Sequence, residues 1–315
     1  MRRLAEWFTA TSARAALGAA LLAPLALLPL FVAWLPGAFI VLLALRRTQP
    51  AADALAALVA GLTLSWFLRG VGAGPLAALL GAATLVVPPL LVGRLLSRGG
   101  SLSLGFQLTV LALLATLIVV HLVLADPPGV WRPFVERLAA ELDRVATMMS
   151  NVGAGWRPRD TDLLEAAAAI VNWGMVTWLV LVNTMVAAFV GLSWCGLLEK
   201  AARLGPAFRE LKAGRTLALI AAVFAALALA FRWNLPTDAS RLFLGVFVLQ
   251  GLALLHAARL VLGFSGAWLG VTYALLFVPF MASLVEGALA MCGFLDNWLP
   301  LRPRLAARAA AGRGH

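Results

Sequence analysis

LGFQLTVLALLATLIVVHLVLA runs from Leu104 to Ala125 without one Asp, Glu, Lys or Arg. It is as long as the roughly 20 residues an α-helix needs to cross the hydrocarbon layer of a bilayer. Similar apolar stretches occupy 17–45, 52–68, 73–93, 167–197, 216–231, 240–262 and 267–299, which makes eight segments with this one. The composition points the same way. The chain is 63% hydrophobic and 12% charged, where a soluble domain carries about 25% charged residues. The expected fold is all-α: a polytopic transmembrane helix bundle in a lipid bilayer, with residues 1–315 forming a single integral membrane domain.

The first and last segments are longer than one crossing and contain prolines: Pro24, Pro29 and Pro36 in one, Pro279 in the other. An interior proline removes a backbone hydrogen bond and bends or breaks a helix. Each segment is therefore either one bent span or a helical hairpin. Basic residues favour hairpins, because Lys and Arg collect in cytoplasmic loops. With the N-terminus cytoplasmic and 17–45 a hairpin, Arg46, Arg47, Arg94, Arg98 and the basic 198–215 loop all fall inside. The loop 126–166, whose seven acids outnumber its five arginines, then falls outside. A hairpin at 267–299 brings the tail 302–315, with four arginines, back to the cytoplasm. The expected location is a bacterial inner membrane, multi-pass. The charged start and apolar middle of the N-terminus resemble a signal sequence, but no clear small-residue cleavage site follows, so it reads as an uncleaved first span.

Within the outer loop, Phe134, Leu138, Leu142, Val145 and Met149 recur at helical spacing. Glu136, Arg137, Glu141, Asp143 and Arg144 fill the other face. An amphipathic helix is expected here, capping the bundle or lying on the membrane surface. Gating of a ligand cavity is the alternative role.

Signatures of chemistry are missing. No phosphate loop, H-E-x-x-H or G-x-S-x-G motif occurs, so no enzymatic activity, cofactor or metal is expected. Cys195 and Cys292 make neither a disulfide framework nor a zinc spacing. The net charge of +11 reflects the cytoplasmic loops and not a nucleic-acid surface, because no basic stripe with interleaved aromatics is present.

Polar side chains inside the spans carry more information, since lipid cannot satisfy them. Gln107 and His121 share nearly one face of 104–125, and Asn172 and Asn183 share a face of 167–197. Gln250 and His256 lie in 240–262, and Glu286 lies in the last segment. They are candidates to line a cavity, or else to make interhelical hydrogen bonds worth about 0.6 kcal/mol each. Glu286 is the strongest functional candidate, because a carboxylate at bilayer depth must be protonated, paired or hydrated. Its candidate partners are His256, Arg259 and Arg232. Asp296 is expected to pair with Arg302 or Arg304 near the cytoplasmic end. Ala15, Ala19 and Ala23, four residues apart, make a small-residue face of the kind that lets membrane helices approach closely.

Several stretches together carry a resemblance: WLPGAFIVLLALRR (34–47), PAFRELKAGRTLAL (206–219), LFLGVFVLQGLALLHAARLVLG (242–263) and GFLDNWLPLRPR (293–304). The most specific parts are Leu-Gln-Gly-Leu-Ala-x-x-His and Gly-x-x-Asp-x-Trp-x-x-x-Arg. The chain resembles the YybS-like family of bacterial membrane proteins over about 17–304, with Pro300 departing from the polar residue expected in the ending. That family is distantly similar to the substrate-binding S-components of energy-coupling-factor transporters. The resemblance implies a small-molecule transport component that relies on another membrane protein, an energy-coupling module, for energy. It also implies that Ala15, Ala19 and Ala23 form a docking face and that the outer loop is a lid. The alternative expectation is a structural or assembly protein of the inner membrane with no substrate.

Overall fold

A computed structural model of the chain describes residues 2–27, 33–46, 50–70, 74–151, 165, 171–199, 204–231, 233–299 and 301–311. Among these residues the fold is all helical. Six helices are long and apolar enough to cross a membrane: α4 (Pro50–Gly70), α5 (Pro75–Ser97), α6 (Leu102–Val123), α8 (Trp173–Glu199), α10 (Gly214–Phe231) and α11 (Asn234–Leu262). Shorter helices complete the set: α1 (Arg2–Thr9), α2 (Ser12–Leu22), α3 (Leu35–Arg46), α7 (Arg132–Asn151), α9 (Leu204–Arg209), α12 (Ala267–Leu276), α13 (Pro279–Leu295) and α14 (Leu301–Ala311).

Both of these long proline-bearing segments are broken near a proline, whereas α5 continues through Pro88 and Pro89. The first becomes α2, a 3₁₀ turn at Ala23–Leu27 containing Pro24, and then α3 with Pro36 in its first turn, where no helical N–H is needed. Pro29 lies outside the described residues. The last becomes α12 and α13, bent by 119° at the break, with Pro279 opening α13.

The chain forms two compact units. One comprises residues 1–110, 180–218 and 244–315. Its centre is α3, where every residue from Pro36 to Ala44 is buried. A helix that is apolar all round has no face for water and sits inside. Glycines bring its neighbours close. A Cβ at Gly93 of α5 would press on Ala44 and Val41, and one at Gly191 of α8 would meet Val41 and the Ala38 carbonyl. Ala15, Ala19 and Ala23 belong to a buried cluster with Ala56, Ala57, Ala60 and Leu64 of α4. This small-residue face therefore serves packing within the chain.

The other unit comprises residues 111–179 and 219–243. The amphipathic helix of the long loop is present as α7. Val135, Leu138 and Leu142 pack around buried Ala139 on its inner side. Phe134 and Val145, assigned by spacing to the apolar face, are exposed, and the side chain of Met149 lies outside the description. The edge of Trp173 meets Trp131, 4.9 Å between ring centres, and its indole N–H donates to the Pro127 carbonyl at 2.8 Å.

Candidate functional site

In the larger unit, the main chain between α9 and α10 leaves helical geometry at residues 210–213. The Glu210 and Leu211 amides still reach back to the Pro206 and Phe208 carbonyls, but the Lys212 and Ala213 amides have turned away from the helix, and buried backbone polar groups must be paired. Side chains from four other segments supply the pairing. Ser103, at the start of α6, donates to the Glu210 carbonyl at 3.0 Å and accepts from the Lys212 N–H at 3.1 Å. Gln107, one turn further on, donates to the Lys212 carbonyl at 3.0 Å. From α11, the fully buried Gln250 accepts the Ala213 N–H at 2.8 Å. Asn297 accepts the Gly214 N–H, also at 2.8 Å. Arg302 of α14 donates to the carbonyls of Arg209 at 2.6 Å and Leu211 at 2.7 Å. Gly214 sits at φ +85°, a conformation that favours glycine and lets the turn enter α10.

These clamping side chains also bind one another. Gln250 donates to Asp296 and to Asn297, both at 3.2 Å. Asp296 forms an ion pair with Arg302 at 3.1 Å, its side chain wholly buried. Burial pushes the Arg302 guanidinium below its usual range, and Asp296 pulls it back. Asn297 ties itself to the end of α13 by donating to the Gly293 carbonyl at 2.9 Å.

Two glycines make the cluster possible. A Cβ on Gly251 would collide with the Leu289 carbonyl, and one on Gly293 would collide with the Phe247 carbonyl. Helices α11 and α13 therefore touch backbone to backbone, the close approach that small residues allow in membranes. Gln250 thereby comes within reach of Asp296 and Asn297.

A second set of contacts holds α9. Phe208 packs edge-on against Phe189 at 5.0 Å and against His256 at 5.2 Å. His256 in turn hydrogen-bonds the Tyr273 hydroxyl at 3.0 Å through Nε2. The cluster thus gathers Gln107 and Gln250 from the sequence candidates, with His256 bracing the helix before it. The Asp296–Arg302 pairing read from the sequence is also found.

The remaining candidates lie apart. Asn172 caps α8, accepting the Met175 N–H at 2.9 Å. Asn183 is half-buried on α8, and Glu286 is half-buried on α13. No hydrogen bond or ion pair joins Glu286 to another described residue. Its candidate partner His256 is engaged by Tyr273, and Arg232 lies outside the described residues.

In the second unit, His121 faces Asp238 of α11. Nε2 lies 3.2 Å from Oδ2, off the axis of a straight hydrogen bond, and both side chains are over nine-tenths buried. His121 Nδ1 lies 2.9 Å from the Leu117 carbonyl, so its hydrogen belongs there. Sequence reading missed Asp238 because the helix begins at Asn234, before the apolar run at 240. It also left Asn297 out of the candidates, although the Asp-Asn pair stands out in an apolar context.

The chain matches no protein-family model, and no curated protein or solved structure matches it significantly.

Proposed function

We propose that the protein is a non-catalytic inner-membrane component that works by holding a partner protein against its clamped turn. The observation that carries this reading is the clamp: the main chain from Arg209 to Gly214 is fixed by Ser103, Gln107, Gln250, Asn297 and Arg302. A preorganised surface loses little entropy on docking. Its outward groups include the exposed Glu210, the half-buried Lys212 and the exposed Arg215, whose Nε also donates to the Asn297 carbonyl at 3.3 Å. The excess of positive charge suits an acidic segment of the partner, and by the positive-inside rule this face is cytoplasmic. The resemblance to YybS-like proteins fits the same reading, since S-components act through a docked membrane subunit. Gln107, Gln250 and Asn172, candidates for a solute cavity, are occupied in local bonds. That favours an assembly role without a substrate.

A second reading, a solute-binding transport component with an energised partner, is favoured by the His121–Asp238 pair. Ionisable groups within a membrane span normally mark an ion or substrate path. One experiment separates the two. The protein is isolated from its host in mild detergent, and bound proteins and small molecules are identified by mass spectrometry. The assembly reading expects a stoichiometric protein partner that Lys212→Glu releases, and no retained solute. A stoichiometric small molecule lost in Asp238→Asn would overturn it in favour of transport.

A further inference from the structure

Helices α11, α13 and α14 enclose an open groove of about 430 Å³, within the size range of small-molecule sites. Leu254 and Ala258 of α11, Leu289 and Cys292 of α13, and Leu305 of α14 give it apolar walls. Among the described residues, its one charged lining residue is Arg304. The two arginines at the start of α14 have opposite fates. Arg302 points into the cluster and is neutralised by Asp296. Arg304 is exposed, and no described carboxylate pairs with it.

An apolar slot with one unneutralised cation at its rim matches a molecule with a long apolar chain and one negative head. A basic helix placing leucines inward and arginine outward is the form that lies at an anionic membrane surface. Leu301 and Leu305, four residues apart, both line the groove. We infer that this groove binds an anionic phospholipid, with an acyl chain along the leucine and alanine walls and the phosphate on Arg304.

Cys292 provides the reporter. It lines the groove and is exposed, whereas Cys195 is buried. The full-length protein is placed in bilayers of phosphatidylcholine alone or with phosphatidylglycerol, and maleimide labelling of each cysteine is followed by mass spectrometry. Phosphatidylglycerol is expected to slow labelling of Cys292 about fivefold, the ratio one arginine supplies at an anionic surface. Arg304→Gln should abolish the difference and Arg304→Lys should preserve it. Unlabelled Cys195 verifies that each variant is folded. Equal labelling in the two bilayers would overturn the inference, since any lipid or an apolar helix would then fill the slot. So would a difference that survives Arg304→Gln, or protection by inorganic phosphate in phosphatidylcholine alone.

Discussion

The clamp around residues 209–214 and the His121–Asp238 pair both place polar groups among apolar helices, but they leave different debts when disturbed. The clamp consists mainly of neutral amides serving main-chain N–H and C=O groups, with one ion pair at its edge. The pair consists of two side chains, an imidazole and a carboxyl, that face each other away from the main chain. Replacing a clamp side chain leaves the main-chain group it served in place, so the clamp has no substitute once a member is lost. Two facing side chains can be replaced together. This difference sorts the expected effects.

The largest effect should come from Gly293→Val. The new side chain would drive α13 off the Phe247 carbonyl of α11 and separate Gln250 from Asp296 and Asn297. Forced separation of packed backbones costs about 3 kcal/mol or more. Thermal unfolding in detergent should show a large drop in midpoint, and Cys195, buried in the wild type, should become reactive to maleimide. An unchanged midpoint would mean that the glycine contact does not hold the clamp.

His121→Leu should follow, at about 3 kcal/mol, because it leaves the buried Asp238 carboxyl without its polar partner. Adding Asp238→Asn should recover most of the loss. Asparagine has nearly the shape of aspartate and carries no charge. The check is a double-mutant cycle on unfolding midpoints. Strictly additive losses would break the description of the pair as mutually compensating.

The two sites also differ in how far the sequence reveals them. The six long helices are legible because an apolar run of about 20 residues has few other uses. Breaks near Pro24 and Pro279 are legible from proline's missing N–H. Gln107, Gln250 and His121 stand out as polar groups in apolar runs, but the pattern names no partner for them. Gln250 could not be matched to the Ala213 N–H because a main-chain group has no letter in the sequence. His121 could not be matched to Asp238 because that residue lies ahead of its helix's apolar run. Glu286, the most conspicuous residue in the sequence, is half-buried and joins neither site. Periodicity shows that a residue is embedded. It does not show which helix end returns to meet it.

The smallest of these effects, and the sharpest test of the contrast, should come from Gln250→Leu. Leucine nearly matches glutamine in volume, so little cavity is left, and the cost comes from unpaired polar groups. The Ala213 N–H loses its Gln250 acceptor, while Asp296 retains Arg302 and Asn297 retains the Gly214 N–H and the Gly293 carbonyl. One orphaned buried donor costs about 2 kcal/mol. Amide exchange at Ala213 should quicken together with the fall in midpoint. A second substitution, Asn297→Leu, should deepen the loss, because the Gly214 N–H then loses its acceptor as well. Recovery in that double variant would mean that the amides mainly serve each other, and the distinction between a clamp on the main chain and a pair of facing side chains would fail.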